Sequence, residues 1–233
     1  MSVWEKQYIC VLFLSCLQSC FAVSIIITEY KDKGEWVMNL NAYTSFYLGI
    51  PDYVTIGTQT ETMVSDVKSA VVELGNTKVE YIFNGEQEDV LLTSNDAVKF
   101  VKLRWEYKLP KKARYLADAW ERGYGELEWK GFSGSRFFPW YFLSSLEGNT
   151  KGIGVKVRPA AMCYWHVDTK GITLYMDVRC GGMGVLLQGR TIKIAEIVTL
   201  ENDGVDTFAF AQEFCRKMCD DPIFPEYPVY GSN

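Results

Sequence analysis

Strand-length segments that alternate apolar and polar residues recur along this chain at short intervals, with almost no helix-period segment between them. Val101, Leu103, Trp105 and Tyr107 alternate with Lys102, Arg104 and Glu106. Ile172, Leu174, Met176 and Val178 alternate with Thr173, Tyr175, Asp177 and Arg179. Trp36, Met38 and Leu40, and again Ile153, Val155 and Val157, repeat the period of two. That period belongs to strands with one buried face. Two hairpins are expected. Gly75-Asn76 separates Val71, Val72 and Leu74 from Val79, Tyr81 and Phe83, and Gln188-Gly189 separates Val185 and Leu187 from Ile192 and Ile194. Gly181-Gly182 and Gly184 mark a bend or bulge. The pattern predicts a mainly β chain, a large antiparallel β-sandwich rather than a parallel α/β sheet.

One helix is expected over residues 207–219. Phe208, Ala211, Cys215 and Met218 form its apolar stripe, Asp206 or Thr207 caps its start, and Arg216 and Lys217 suit its C-terminal end. Pro222, Pro225 and Pro228 then impose an extended exit. The resulting division is 1–22 as a signal peptide, 23–205 as the sandwich, and 206–233 as helix plus proline-rich lead-in.

The N-terminal assignment rests on Lys6, the apolar run from Ile9 to Leu17 and the small Ala22. Leu17-Gln18-Ser19-Cys20 also resembles a lipoprotein cleavage box. The run is shorter than the roughly 20 apolar residues of a spanning helix, so no transmembrane segment is expected. Export would place the protein outside the cell, in a periplasm or on a lipid anchor; the competing reading is a buried N-terminal strand in a cytoplasmic protein. The chain carries 24 Lys and Arg against 29 Asp and Glu, a net charge of -5, with no basic run longer than a pair. Nucleic acid, which selects clustered positive charge, is therefore not an expected partner.

Seven cysteines fall at positions 10, 16, 20, 163, 180, 215 and 219, and the last four are available for bridges in an exported protein. Cys215 and Cys219 form CxxxC with no second ligand pair, a poor zinc signature, so neither metal nor cofactor is expected. His166 is the only histidine. Cys163, three residues before it, would point to the opposite face of a strand, which favours a buried thiol over a Cys-His nucleophile pair. Gly123-Tyr124-Gly125 and Gly181-Gly182-Met183-Gly184 lack the setting of a phosphate loop.

Residues 115–129 gather Asp118, Glu121, Glu126 and Glu128 with Arg122 and the rings of Tyr115, Trp120, Tyr124 and Trp129. Carboxylates bind sugar hydroxyls and flat rings cover the apolar side of a pyranose; glycoside hydrolysis itself needs two carboxylates. The same residues also suit a structural charge network in a long loop, and residue types alone lean that way.

The blocks LADAWERGYGELEWKG, FFPWYFLSS, KGIGVKVRPAAMCYWHVDTKGITLYMDVRCGGMGVLLQGR and FAFAQEFCRKMCDDPIFPEYPVYG resemble the N-terminal region of α-galactosidase-like proteins related to glycoside hydrolase family 36, over about Val101 to Asn233. The resemblance implies a sandwich that packs against a (β/α)₈ catalytic barrel, with helix and proline-rich exit leading into it. The family's nucleophile and acid/base are aspartates on barrel strands. Such a barrel takes about 250 residues, more than the 233 present, so those aspartates have no counterpart here and no catalytic residue is assigned. The expectation is an accessory fragment that is inactive alone, partnered by a barrel domain or by self-association. A sandwich loop of the family can reach the substrate pocket; the segment carrying Asp118 and Trp120 is the candidate, with α-galactoside as ligand. The alternative is a free-standing carbohydrate-binding or protein-interaction sandwich.

Overall fold

The computed structural model describes residues 6–12, 23–32, 35–84, 87–118, 120, 128–179, 182–204 and 206–221, with side chains from Tyr43 onward. In chain order the strands are β1 (Lys6–Leu12), β2 (Val23–Asp32), β3 (Glu35–Thr44), β4 (Tyr53–Thr58), β5 (Thr62–Asp66), β6 (Val71–Leu74), β7 (Thr77–Asn84), β8 (Gln87–Ser94) and β9 (Ala97–Trp105). They continue as β10 (Arg114–Ala117), β11 (Phe137–Pro139), β12 (Tyr141–Leu146), β13 (Asn149–Val155), β14 (Met162–Val167), β15 (Ile172–Asp177), β16 (Val185–Leu186) and β17 (Thr191–Asp203), followed by helix α1 (Thr207–Met218).

Two antiparallel sheets face each other, a β-sandwich with one C-terminal helix. The ten-stranded sheet runs β1-β2-β3-β17-β13-β12-β10, with β8 joined to β17 and carrying β7 and β6. The seven-stranded sheet runs β11-β14-β15-β9-β4-β5, with β16 on β9. Between them lies the main core, built from Ile56, Val90, Leu92, Leu103, Trp105, Phe142, Trp165 and Leu174 among others. The alternation in β9 and β15 thus reports this core. Lys6–Leu12, inside the stretch expected as a leader, pairs antiparallel with Val23–Glu29 of β2; residues 13–22 lie outside the described ones.

β17 organises the larger sheet. Thr191–Val198 pairs with β8, across a register shift between Lys193 and Ala195, and Ile197–Asp203 pairs with β13. Ala195 and Ile197 point into the main core. Val198 and Leu200 point the other way, into a second core under α1. Both faces are covered in the middle of the strand, which is why Ile194, Ala195, Ile197, Val198 and Leu200 place apolar residues on both of its faces.

That second core joins Tyr43, Leu143, Val198 and Leu200 to Phe210, Phe214 and Met218 of α1. Asp206 caps the helix, its carboxylate accepting from the amides of Phe208 (3.2 Å) and Ala209 (3.1 Å). The buried stripe is Phe210, Phe214 and Met218, at i, i+4 and i+8. This corrects the expected stripe: Phe208 is 69% exposed and Cys215 is exposed, while Met218 and Ala211 do pack inward. A different set of helical positions meets the sheet because β13 offers a flat seat there. Gly152 and Gly154 alternate with Ile153 and Val155, so beyond Thr150 one face of the strand carries no side chains. A Cβ on Gly152 would come within 2.5 Å of the Phe214 ring, and one on Gly154 within 2.9 Å of Met218 Sδ.

The Gly75-Asn76 hairpin is present, with Leu74 opposite Thr77. The Gln188-Gly189 hairpin is not. β16 pairs with β9 in the smaller sheet, whereas β17 lies in the larger one. The turn residues do adopt positive φ, 55° and 76°, but the turn carries the chain across the sandwich instead of folding it back.

Glu88 is buried, and its Oε1 accepts the amides of Leu48 (2.7 Å) and Gly49 (3.3 Å). Burial pushes its carboxyl up to about 7, with the two amides working in the opposite direction. A carboxyl held above its unfolded value stabilises the fold fully below that value and loses the contribution as pH rises through 7. Unfolding free energy should fall by up to about 3 kcal/mol between pH 4.5 and 8 on this account. Glu88→Gln should flatten that slope in pH-dependent denaturant titrations. Gly152→Val should cost about 1–3 kcal/mol through overpacking. Combined with Phe214→Ala it should cost less than the sum of the two single changes; strict additivity would show that the glycine seat does not matter.

Candidate functional site

A cavity of about 560 Å³ opens at the corner where α1 meets the edge of the larger sheet. Asp118, just past β10, forms one side, and Trp140 and Tyr141 at the head of β12 another. The stretch from Val155 to Ala161 after β13, with Cys215 and Met218 of α1, completes it. The walls are largely apolar, with Asp118, Lys156 and Arg158 as charged groups.

The helix and the stretch after β13 are tied together. The Val157 amide donates to the Met218 carbonyl at 3.0 Å, and the Lys156 amide to the Glu196 carbonyl at 2.8 Å. Lys156 Nζ bridges Asp220 (2.7 Å) and Glu196 (3.1 Å). Burial disfavours the Lys156 charge, but its hydrogen bonds to Asp220 and Glu196 outweigh this and hold the ammonium above the ordinary lysine range.

Trp140 and Arg158 adopt left-handed backbone, φ 64° and 63°. The other two non-glycine residues of this kind among the described residues, Glu147 and Gln188, each precede a positive-φ glycine in a tight turn, the ordinary setting for such angles. Trp140 and Arg158 precede Tyr141 and Pro159. Trp140 is held by three bonds: its amide donates to the Cys163 carbonyl (3.2 Å), and its carbonyl accepts from the Val155 amide (3.0 Å) and the Trp165 indole (3.1 Å). Pro159 keeps Arg158 out of the right-handed helical region.

On the outer face of the seven-stranded sheet lies an aromatic cluster. Tyr164 and Tyr175 are register partners with parallel rings 4.8 Å apart, and Phe137 stacks on its register partner His166 at 4.8 Å. Trp120, 53% exposed, meets Tyr164 edge-on at 5.5 Å, and Lys102 Nζ sits 4.9 Å above the Tyr175 ring.

The two sequence candidates therefore separate. Asp118, half-buried, lines the cavity, while Trp120 belongs to the aromatic cluster. Glu128 is paired with Lys130 at 3.3 Å on the surface; Glu121 and Glu126 lie outside the described residues. His166 faces outward, its Nε2 2.7 Å from the Gly134 carbonyl, and Cys163 points into the core. Burial pushes the Cys163 thiol up to about 12, which leaves it an inert core group. Cys163, Cys215 and Cys219 form no disulfide with one another; Cys180 lies outside the described residues. Among the described residues no group of three His, Cys, Asp or Glu is placed to hold a metal, and no helix is long and apolar enough to cross a membrane.

Sequence reasoning missed Trp140 and Arg158. The only local signal was Pro159, which restricts the residue before it; nothing in the sequence marks Trp140 for positive φ. No protein-family model matches the chain, and no curated protein matches it. Alkylation of the native protein followed by peptide mapping should label Cys215 rapidly and Cys163 only on unfolding; fast labelling of Cys163 would contradict the packing described.

Proposed function

We propose that the chain is the N-terminal accessory β-sandwich of an α-galactosidase-like glycoside hydrolase, working with a (β/α)₈ barrel that supplies the catalytic aspartates. The observation that carries this reading is the place where Asp118 sits. The segment that the resemblance brings to a substrate pocket and the end of α1, from which the chain continues into its proline-rich stretch, line one cavity. A barrel following that stretch would stand beside Asp118. Asp118 and Trp120 are the substrate-binding residues of this proposal, and export through the N-terminal 22 residues belongs to it. The pairing of β1 with β2 is the alternative use of those residues. Ile223, Phe224, Tyr227 and Tyr230, the apolar groups expected to meet the barrel, lie outside the described residues.

A second reading, a free-standing carbohydrate-binding or protein-interaction sandwich, draws on the aromatic cluster of Trp120, Phe137, Tyr164 and Tyr175. Trp120 and Phe137 are exposed on one sheet face, with Tyr164 and Tyr175 half-buried between them. Tyr164 and Tyr175, however, cover each other's faces instead of presenting them to a sugar.

The pure chain should release no aryl alcohol from an aryl α-galactoside, because retaining chemistry needs a positioned carboxylate pair. Addition of a barrel from an α-galactosidase-like protein should restore turnover, and Asp118→Asn should reduce it. Turnover by the pure chain that disappears with Asp118→Asn would overturn the accessory reading.

A further inference from the structure

We propose that the cavity between β12, the stretch after β13 and α1 is a saccharide-binding site of the sandwich itself, with Trp140 as its stacking ring and Asp118 and Arg158 as its hydroxyl-binding groups. The inference rests on the sugar-directed reading above and adds to Asp118 two residues the sequence candidates did not include, Trp140 and Arg158.

Three observations converge on it. Non-glycine residues in left-handed backbone are costly and persist where surrounding structure fixes them, commonly at binding sites. Of the four in the described residues, the two that are not in Xaa-Gly turns, Trp140 and Arg158, line the same cavity. The volume of about 560 Å³ falls within the range of small-ligand sites, which combine mostly apolar walls with a few placed polar groups. Its chemistry is that of a pyranose: an indole 39% exposed for the apolar C–H face, and a carboxylate and a guanidinium for hydroxyls. Lys156 is already committed to Asp220 and Glu196, so the site is not a general anion pocket. Backbone bonds hold both walls: three hydrogen bonds fix the Trp140 backbone, and the Val157–Met218 bond fixes the opposite wall. Trp120 packs on Tyr164 at the outer sheet face and does not line this cavity.

The test is calorimetric titration of the full chain with methyl α-galactoside, beside methyl α-glucoside. Wild-type protein should bind, and Trp140→Gly should weaken binding by at least about tenfold. Glycine accepts φ 64° without strain, so this change removes the ring while keeping the backbone. Arg158→Ala, at an exposed position, should weaken binding several-fold with an unchanged thermal midpoint. Val64→Ala, at an exposed position on the edge strand β5 of the smaller sheet and outside the cavity, should leave binding within about twofold. Cys215 also lines the cavity, so saturating saccharide should slow its alkylation and leave that of Cys219 unaltered. Loss of binding in Trp120→Ala with full binding in Trp140→Gly would overturn the assignment and leave the sugar-directed reading standing. Absence of binding to either glycoside would overturn the site altogether; the accessory role is judged separately, by the turnover experiment with the barrel.

Discussion

The absence of side chains at Gly152 and Gly154 is the constraint on which the rest of this molecule turns. A strand in the middle of a sheet normally presents a row of side chains on each face. β13 leaves one face bare beyond Thr150, at Gly152 and Gly154, and that bare stretch lets the Phe214 ring approach to a distance at which no Cβ fits. α1 therefore lies close against the larger sheet, and its aromatic residues close a second core over Leu143, Val198 and Leu200. The double coverage of β17 follows, and so does the position of Met218, whose carbonyl receives the Val157 amide. The cavity at the helix corner is bounded by the helix that those glycines seat.

The two outer faces of the sandwich have different fates for this reason. The larger sheet is partly covered by α1, and the charges at its margin are paired, as with Lys156 between Glu196 and Asp220 or Lys151 with Glu201. The smaller sheet has no such cover in the described residues. Its outer face is filled by rings that stack along and across β14 and β15 and by the Arg104–Asp168 pair at 2.7 Å, which holds the Asp168 carboxyl down to about 2. Ring-on-ring packing shields apolar area from water without a covering layer. The aromatic content of the sequence is thus divided between the interior, as with Trp105 against Trp165, and this outer cluster.

Much of this architecture could be read before any coordinates. Alternation in β9 and β15 reported the one-sided burial of those strands, and Asp206 was readable as a cap because its side chain acts on the two nearest helical amides. What was not readable depended on contacts far apart in sequence. Gln188-Gly189 has the same local chemistry in a hairpin and in a crossover, and only the partner of β16 decides between them. The helix was read with Phe208 and Cys215 on its buried stripe, and the stripe that does meet the sheet is seated on glycines some 60 positions earlier. Asp118 and Trp120 were candidates together because the resemblance brings their segment to a substrate pocket, yet one side chain lines the cavity and the other joins the aromatic cluster. The left-handed backbone at Trp140 is held by Cys163, Val155 and Trp165, none of them near it in sequence.

The account makes the seat of α1 and the cavity beside it one functional unit. Amide and indole chemical shifts of the full chain, followed while methyl α-galactoside is added, test that claim most directly. The account predicts that the Trp140 indole and the amides of Val155, Val157, Arg158 and Met218 shift together along one saturation curve. Shifts confined to Trp120, Tyr164 and Tyr175, with the cavity residues unmoved, would contradict it.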